Sequence, residues 1–258
     1  MSEKKFKTAL VLSGGGVRGF AHLGVLKALN EFDIYPDVIS GTSAGAIAAA
    51  LYADGYTPDD AIKLFNKKEL LKYIELVFPR MGLVKMTGMM KLLKAALRAK
   101  TFEDLKTPVY VAACNLNKGC TEFFSKGELL KPLLASSSIP VMFSPIKIND
   151  NYYADGGILD NYPIEPIIHK SETIIGVYVN PVSQQQNFKS IKQIAIRAFQ
   201  LTINKNIPSK AKKCNIVIAP SKLDRYGIME LNKNEEIFQI GYHEAIKVLK
   251  KFEKENTK

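Results

Sequence analysis

Apolar positions along the chain alternate between two rhythms. Short aliphatic or β-branched runs, KTALVLS (7–13), DVISG (37–41), VYVAACNL (109–116), TIIGVYVN (173–180) and CNIVIAP (214–220), are bounded by glycine, proline or polar residues. They read as buried strands. After the first run, GFAHLGVLKALNEF (19–32) sets Leu23, Leu26 and Leu29 at helical spacing, and after the second SAGAIAAALYADG (43–55) is an alanine-rich helix closed by Gly55. Near the end, EEIFQIGYHEAIKVLKKFEK (235–254) places apolar residues at 237, 240, 245, 248, 249 and 252, an amphipathic helix. Alternating strands and helices predict an α/β fold with a mostly parallel central sheet covered on both faces. With no internal repeat, low-complexity tract or linker, residues 1–258 are expected to form a single domain.

Composition narrows the picture only a little. Apolar residues make up 47% and charged residues 24%, as in ordinary globular proteins. The 36 basic against 25 acidic residues leave a net charge of +11, which suits nucleic acid, anionic lipid or an acidic substrate. No recognised module frames the basic residues, so nucleic acid is not expected as a partner. Cys114, Cys120 and Cys214 make neither a disulfide framework nor a zinc pattern. No stretch reaches the ~18 apolar residues of a membrane span. The expected location is the cytoplasm, with peripheral contact to an anionic membrane surface left open. That contact would fall in residues 76–102, where Arg80, Lys85, Lys91, Lys94, Arg98 and Lys100 occur without an acidic residue. If KMTGMMKLLKAALRAK (85–100) is helical, Met86, Met89, Met90, Leu93 and Leu97 share one face and Lys91, Lys94 and Arg98 another. It reads equally as a membrane-docking element and as a core helix with one solvated basic side.

Two glycine-rich turns carry the candidate chemistry. In VLSGGGVRGF (11–20), Gly14, Gly16 and Gly19 satisfy G-x-G-x-x-G between a strand and a helix, the context of a dinucleotide-binding loop. The acidic residue that should end the second strand is missing, since that strand closes on Ser40-Gly41. At the second turn, Gly41-Thr42-Ser43-Ala44-Gly45 is G-x-S-x-G between a strand and a helix, where a sharp turn lifts a serine hydroxyl out of the sheet. Both turns fall at carboxyl ends of neighbouring parallel strands, where open α/β sheets put their sites. The amides of Gly14, Gly15 and Gly16 then offer donors for an oxyanion formed beside Ser43, and Arg18 stands near.

A nucleophilic serine needs a proton acceptor. Of the three histidines, His22 falls in step with Leu26 and Leu29 and reads as a core residue, His169 ends a short expected helix (IEPIIHK, 164–170), and His243 lies off the apolar face of the last helix. None sits in a turn at a strand's carboxyl end. Asp155 does, at the end of NYYAD and ahead of Gly156-Gly157. Paired directly with Ser43 it would form a Ser–Asp dyad. Orienting His169 or His243, it would complete a triad of the α/β-hydrolase kind, and both arrangements remain open.

Taken together, GGGVRG (14–19), GTSAG (41–45), ASSSIP (135–140) and DGGILDNYP (155–163) resemble, in order, the blocks of the patatin-like phospholipase family. The resemblance covers about residues 8–165, and 166–258 would complete the sheet and add the last helix. It implies a three-layer α/β/α sandwich, a lipid acyl hydrolase acting on phospholipid or lysolipid esters without metal or organic cofactor, and a Ser43–Asp155 dyad. It also implies an oxyanion hole at Gly14, Gly15 and Gly16, with Arg18 in the family's basic position.

Overall fold

The computed structural model describes residues 5–65, 86–140, 142–182, 184, 187–188, 190–227 and 231–256. Among them β1 (Phe6–Leu12), β2 (Val38–Thr42), β3 (Val109–Asn115), β4 (Cys120–Phe124), β5 (Ile146–Ile148), β6 (Asn151–Asp155), β7 (Ser171–Val177) and β8 (Ile216–Ile218) form one sheet. Its parallel part runs β3-β2-β1-β7-β8. The short strands β4, β5 and β6 join antiparallel on the β3 side. Helices α1 (Phe20–Glu31) and α2 (Ala44–Ala53) make the crossovers β1–β2 and β2–β3. The mostly parallel α/β reading therefore holds, with β4 and β5 unforeseen and 164–170 forming turns rather than the expected helix.

Strand pleating divides the core in two, because successive side chains point to opposite faces. Leu10, Leu12, Ile39, Val111, Ile175 and Val177 face a large cluster built from α1, α2 and the C-terminal helix Asn234–Asn256. Ala9, Val11, Val38 and Ile174 face the other way, under Tyr162, Ile164, Ile167 and Ile207. The second cover is thin, a run of turns and a helix end. The basic segment resolves similarly: in the helix Thr87–Ala96, Leu92, Leu93 and Ala96 are buried with Met86 and Leu97 in the large cluster, while Lys91, Lys94 and Arg98 face solvent. It is a core helix with a basic outer side; Arg80 and Lys85 lie outside the described residues. No helix among the described residues is long and apolar enough to cross a membrane.

The first and last helices cross in contact at two glycines. A Cβ on Gly24 would lie 2.0 Å from the Phe238 carbonyl oxygen, and one on Gly241 2.2 Å from that of Ala21. Backbone meets backbone here, so no side chain can give way. Gly24→Ala should cost about 1–3 kcal/mol by overpacking and lower the thermal midpoint by about 3–10 °C, read by circular dichroism.

Candidate active site

The geometry starts from one edge of β3. Residues 109–112 of that strand pair with β2, residues 113–115 with β6, and β4 spans 111–115, so β4 must occupy the opposite edge. β2 and β6 therefore run toward each other along a single edge. Their last residues, Thr42 and Asp155, stand opposite the consecutive β3 residues Ala112 and Ala113. A Cβ on Gly156 would lie 2.3 Å from the Ala112 carbonyl oxygen, so glycine is what lets the chain turn away beyond Asp155. Ser43, next after Thr42, has its side chain beside the Asp155 carboxyl, close enough to influence its titration.

Ser43 takes the strained backbone of a strand-to-helix turn, φ 54° and ψ −123°. Such a conformation in a non-glycine residue costs on the order of 1–3 kcal/mol and persists only where the surroundings hold it. The serine block holds it here. Ser43 N–H donates to Ser136 Oγ at 2.8 Å, and Ser136 Oγ–H donates to the Ala112 carbonyl at 2.6 Å. Two residues on, the Ser138 carbonyl accepts from Asp155 N–H at 2.9 Å. Residues 136–138 thus anchor the backbones of both partners to β3 and to each other.

Ser43 and Asp155 are 5% and 3% exposed. Burial pushes the Asp155 carboxyl up to about 7, although the Ser43 hydroxyl and the hydrogen bond from the Gly157 amide (2.8 Å) favour the charged form. A carboxylate that is a weak base in water is thereby made a useful one near neutral pH. No histidine shares this environment. The buried His22 donates from Nε2 to the Ser13 carbonyl at 2.7 Å, and burial lowers its pKa to about 4. It braces the residue that leads into the glycine loop. His169 and His243 are exposed, His243 lying edge-on to Tyr242.

The glycine loop lies against the serine, since a Cβ on Gly14 would come 3.2 Å from Ser43 Cβ and 2.4 Å from Asn161 Oδ1. Two residues of the loop are held by the protein itself. Gly14 N–H donates to Asn161 Oδ1 at 3.1 Å. Arg18 is turned into the fold. It is 6% exposed, and its guanidinium donates to the Tyr226 carbonyl (2.9 Å), Asn180 Oδ1 (2.9 Å) and the Pro181 carbonyl (2.9 Å). Its role is to tie the glycine loop to residues 180–226.

Asn161 is the residue that sequence reasoning passed over, although it stands inside the DGGILDNYP block. Its carbonyl fixes Gly14, and its buried Nδ2 has no partner among the described residues. The same segment is pinned from outside, where Lys210 Nζ meets Asp160 Oδ1 at 2.6 Å and Glu165 Oε1 at 2.8 Å. A cavity of about 160 Å³ separates it from residues 202–210 and reaches Gly157 and Asn161.

A strained serine on a strand-to-helix turn, a buried carboxyl beside it, and an adjoining glycine loop are the elements that a serine hydrolase of an α/β sheet would need. The family is specific: the model of the patatin-like phospholipases matches residues 10–168, and the chain belongs to that family. Among curated proteins it is 26% identical to the lysophospholipase NTE1 of Kluyveromyces lactis over 269 residues, covering 90% of this chain and 18% of that protein. It is 31% identical to an uncharacterised NTE family protein of Mycobacterium tuberculosis over 165 residues, 62% of this chain and 45% of the other. The chain thus spans less than a fifth of the length of the lysophospholipase. The crystal structure of VipD from Legionella pneumophila shares the fold, with a TM-score of 0.55 at 17% identity over 96% of this chain and 67% of VipD.

The buried carboxyl makes stability depend on pH. With its pKa raised in the folded chain to about 7, Asp155 binds more protons folded than unfolded between about pH 4 and 7, so stability falls as pH rises through that window. Asp155→Asn, which keeps the acceptor for Gly157, should melt about 4–8 °C above wild type at pH 8, with the gap closing toward pH 4. Equal midpoints at pH 8 would mean that the carboxylate is not desolvated.

Proposed function

We propose that the protein is a lipid acyl hydrolase, cleaving carboxylic esters of phospholipids or lysophospholipids through an acyl-serine intermediate. The observation that supports this reading is the placement of a buried Asp155 carboxyl beside Ser43 at the meeting of two strand ends, away from all three histidines. Family membership and the lysophospholipase relatives support the lipid substrate.

In the proposed cycle Ser43 Oγ attacks the ester carbonyl carbon as Asp155 takes the hydroxyl proton. The amides of Gly15 and Gly16 hydrogen-bond the oxyanion; losing one such donor typically costs about 3 kcal/mol of transition-state stabilisation. When the tetrahedral intermediate collapses, the carbon–oxygen bond to the alcohol or lysolipid breaks, and that oxygen leaves with the proton from Asp155. Water then attacks the acyl-Ser43 carbonyl and gives its proton to Asp155. Fatty acid departs as Ser43 recovers its proton. Each half-reaction passes one proton through one carboxyl group, so a pKa near neutrality serves both directions.

Ser43→Ala and Asp155→Asn are each expected to lower hydrolysis of lysophospholipid and of a soluble short-chain ester at least about 10³-fold, with folding retained. The double variant His169→Gln, His243→Gln should stay within about twofold of wild type, since neither ring takes part. Activity surviving in Ser43→Ala, or lost in the histidine double variant, would contradict the dyad.

A further inference from the structure

The net charge of this chain has one dominant source. Between Glu172 and Asp224 lie Lys189, Lys192, Arg197, Lys205, Lys210, Lys212, Lys213 and Lys222, eight cations with no acidic residue among them. The helix Ile191–Asn204 occupies the middle of this segment. Its apolar residues fall into two stripes. Ile196, Phe199 and Ile203 turn inward and are half-buried or buried, and Ile203 Cγ2 would lie 3.4 Å from a Cβ on Gly157. Ile191, Ile194, Ala198 and Leu201, at helical spacing on the opposite side, turn outward; Ile191 is 86% exposed, Ile194 52% and Leu201 52%. Phe188, just ahead of the helix, is exposed as well.

A helix apolar on both sides, with one side in water, is built to meet a second apolar phase. Charge selects which one. Lys205 at the helix's carboxyl end, and Lys212 and Lys213 after the short helix Ile207–Ala211 that follows, are exposed, and none is in an ion pair among the described residues; Lys210 is held by Asp160 and Glu165. Apolar side chains beside unneutralised lysines match an anionic lipid interface, with acyl chains below and phosphate headgroups above. The position fits too. The inner stripe packs on Gly157, whose amide hydrogen-bonds Asp155, so a membrane against the outer stripe lies one helix thickness from the dyad.

We propose that the outward face of residues 188–213 is a membrane-docking surface for anionic bilayers, Ile191, Ile194 and Leu201 entering the interface and Lys205, Lys212 and Lys213 meeting the headgroups. This deepens the lipid-hydrolase reading and rests on it for the purpose of docking. It moves the membrane contact away from the basic helix at 87–96, whose Leu92, Leu93 and Ala96 are committed to the core, leaving Met90 exposed.

The test is co-sedimentation with phosphatidylcholine vesicles containing or lacking phosphatidylglycerol, in a Ser43→Ala background so that binding is read without turnover. The unaltered surface should bind the anionic vesicles more tightly. Ile191→Ser, Ile194→Ser, Leu201→Ser, and separately Lys205→Glu, Lys212→Glu, Lys213→Glu, should each weaken that binding about tenfold or more. With the native Ser43 restored, both sets should hydrolyse a soluble short-chain ester at the wild-type rate, and both should keep the wild-type melting curve. Lys91→Glu, Lys94→Glu, Arg98→Glu should leave vesicle binding unchanged. Undiminished binding in the first two sets would overturn the proposal, as would loss confined to the third. So would an apolar face used for concentration-dependent dimerisation without vesicle binding, seen by analytical ultracentrifugation. If the docking variants lose binding while the wild-type protein hydrolyses no ester, the docking surface stands and the hydrolase reading fails.

Discussion

The meeting of two strand ends on one edge of β3 is the constraint on which this site depends. β2 and β6 approach from opposite directions, and the register leaves Thr42 and Asp155 opposite adjacent residues. That register sets the side chain of Ser43, the residue after Thr42, beside the Asp155 carboxyl. Two unfavourable features follow, a left-handed serine and a carboxyl group out of water. Both are retained because Ser136 and Ser138 fix the two backbones to the sheet. The site is a place where the fold gives up stability and gains reactivity in return.

The same arrangement explains why a carboxylate can stand where a histidine usually does. Imidazole is a competent base near neutrality without help, whereas an exposed carboxylate is not. Burial closes most of that gap by penalising the charged form, and the Gly157 amide and Ser43 hydroxyl keep it accessible. The glycine loop is held by unrelated means on each side: His22 braces Ser13, Asn161 takes Gly14, and Arg18 reaches across to carbonyls at 181 and 226. The loop is thus fixed from both sides by the protein itself, which is what the proposed preorganised oxyanion stabilisation requires.

Much of this was legible in the chain, and the exceptions share a cause. The parallel strands announced themselves as unbroken aliphatic runs, and Ser43 through a strand-to-helix turn flanked by glycines. Asp155 could be picked out because its neighbours are two glycines. By contrast β4, with its charged and half-exposed CTEFF, and the three-residue β5 lack the apolar runs that mark a buried strand, so neither was expected. The partners of Arg18 could not be read from the sequence, because they lie more than 160 positions away and are mostly backbone carbonyls, which no side-chain pattern reveals. Asn161 went unremarked inside a familiar block because its task, holding a glycine amide, shows only in three dimensions. The basic helix at 87–96 was left open for a simpler reason: a core helix and an interfacial one carry the same periodicity, and only packing tells which side is covered. The register that brings β2 and β6 together could not be read from either segment alone.

A crystal structure of the protein after reaction with a fluorophosphonate would test the central claim most directly. The account predicts phosphorus bonded to Ser43 Oγ, the phosphoryl oxygen within hydrogen-bonding distance of the Gly15 and Gly16 amides, and the Asp155 carboxyl beside the adduct with no ring nitrogen near it. An adduct on another residue, a phosphoryl oxygen turned away from the glycine loop, or a histidine drawn in against Ser43 would contradict it.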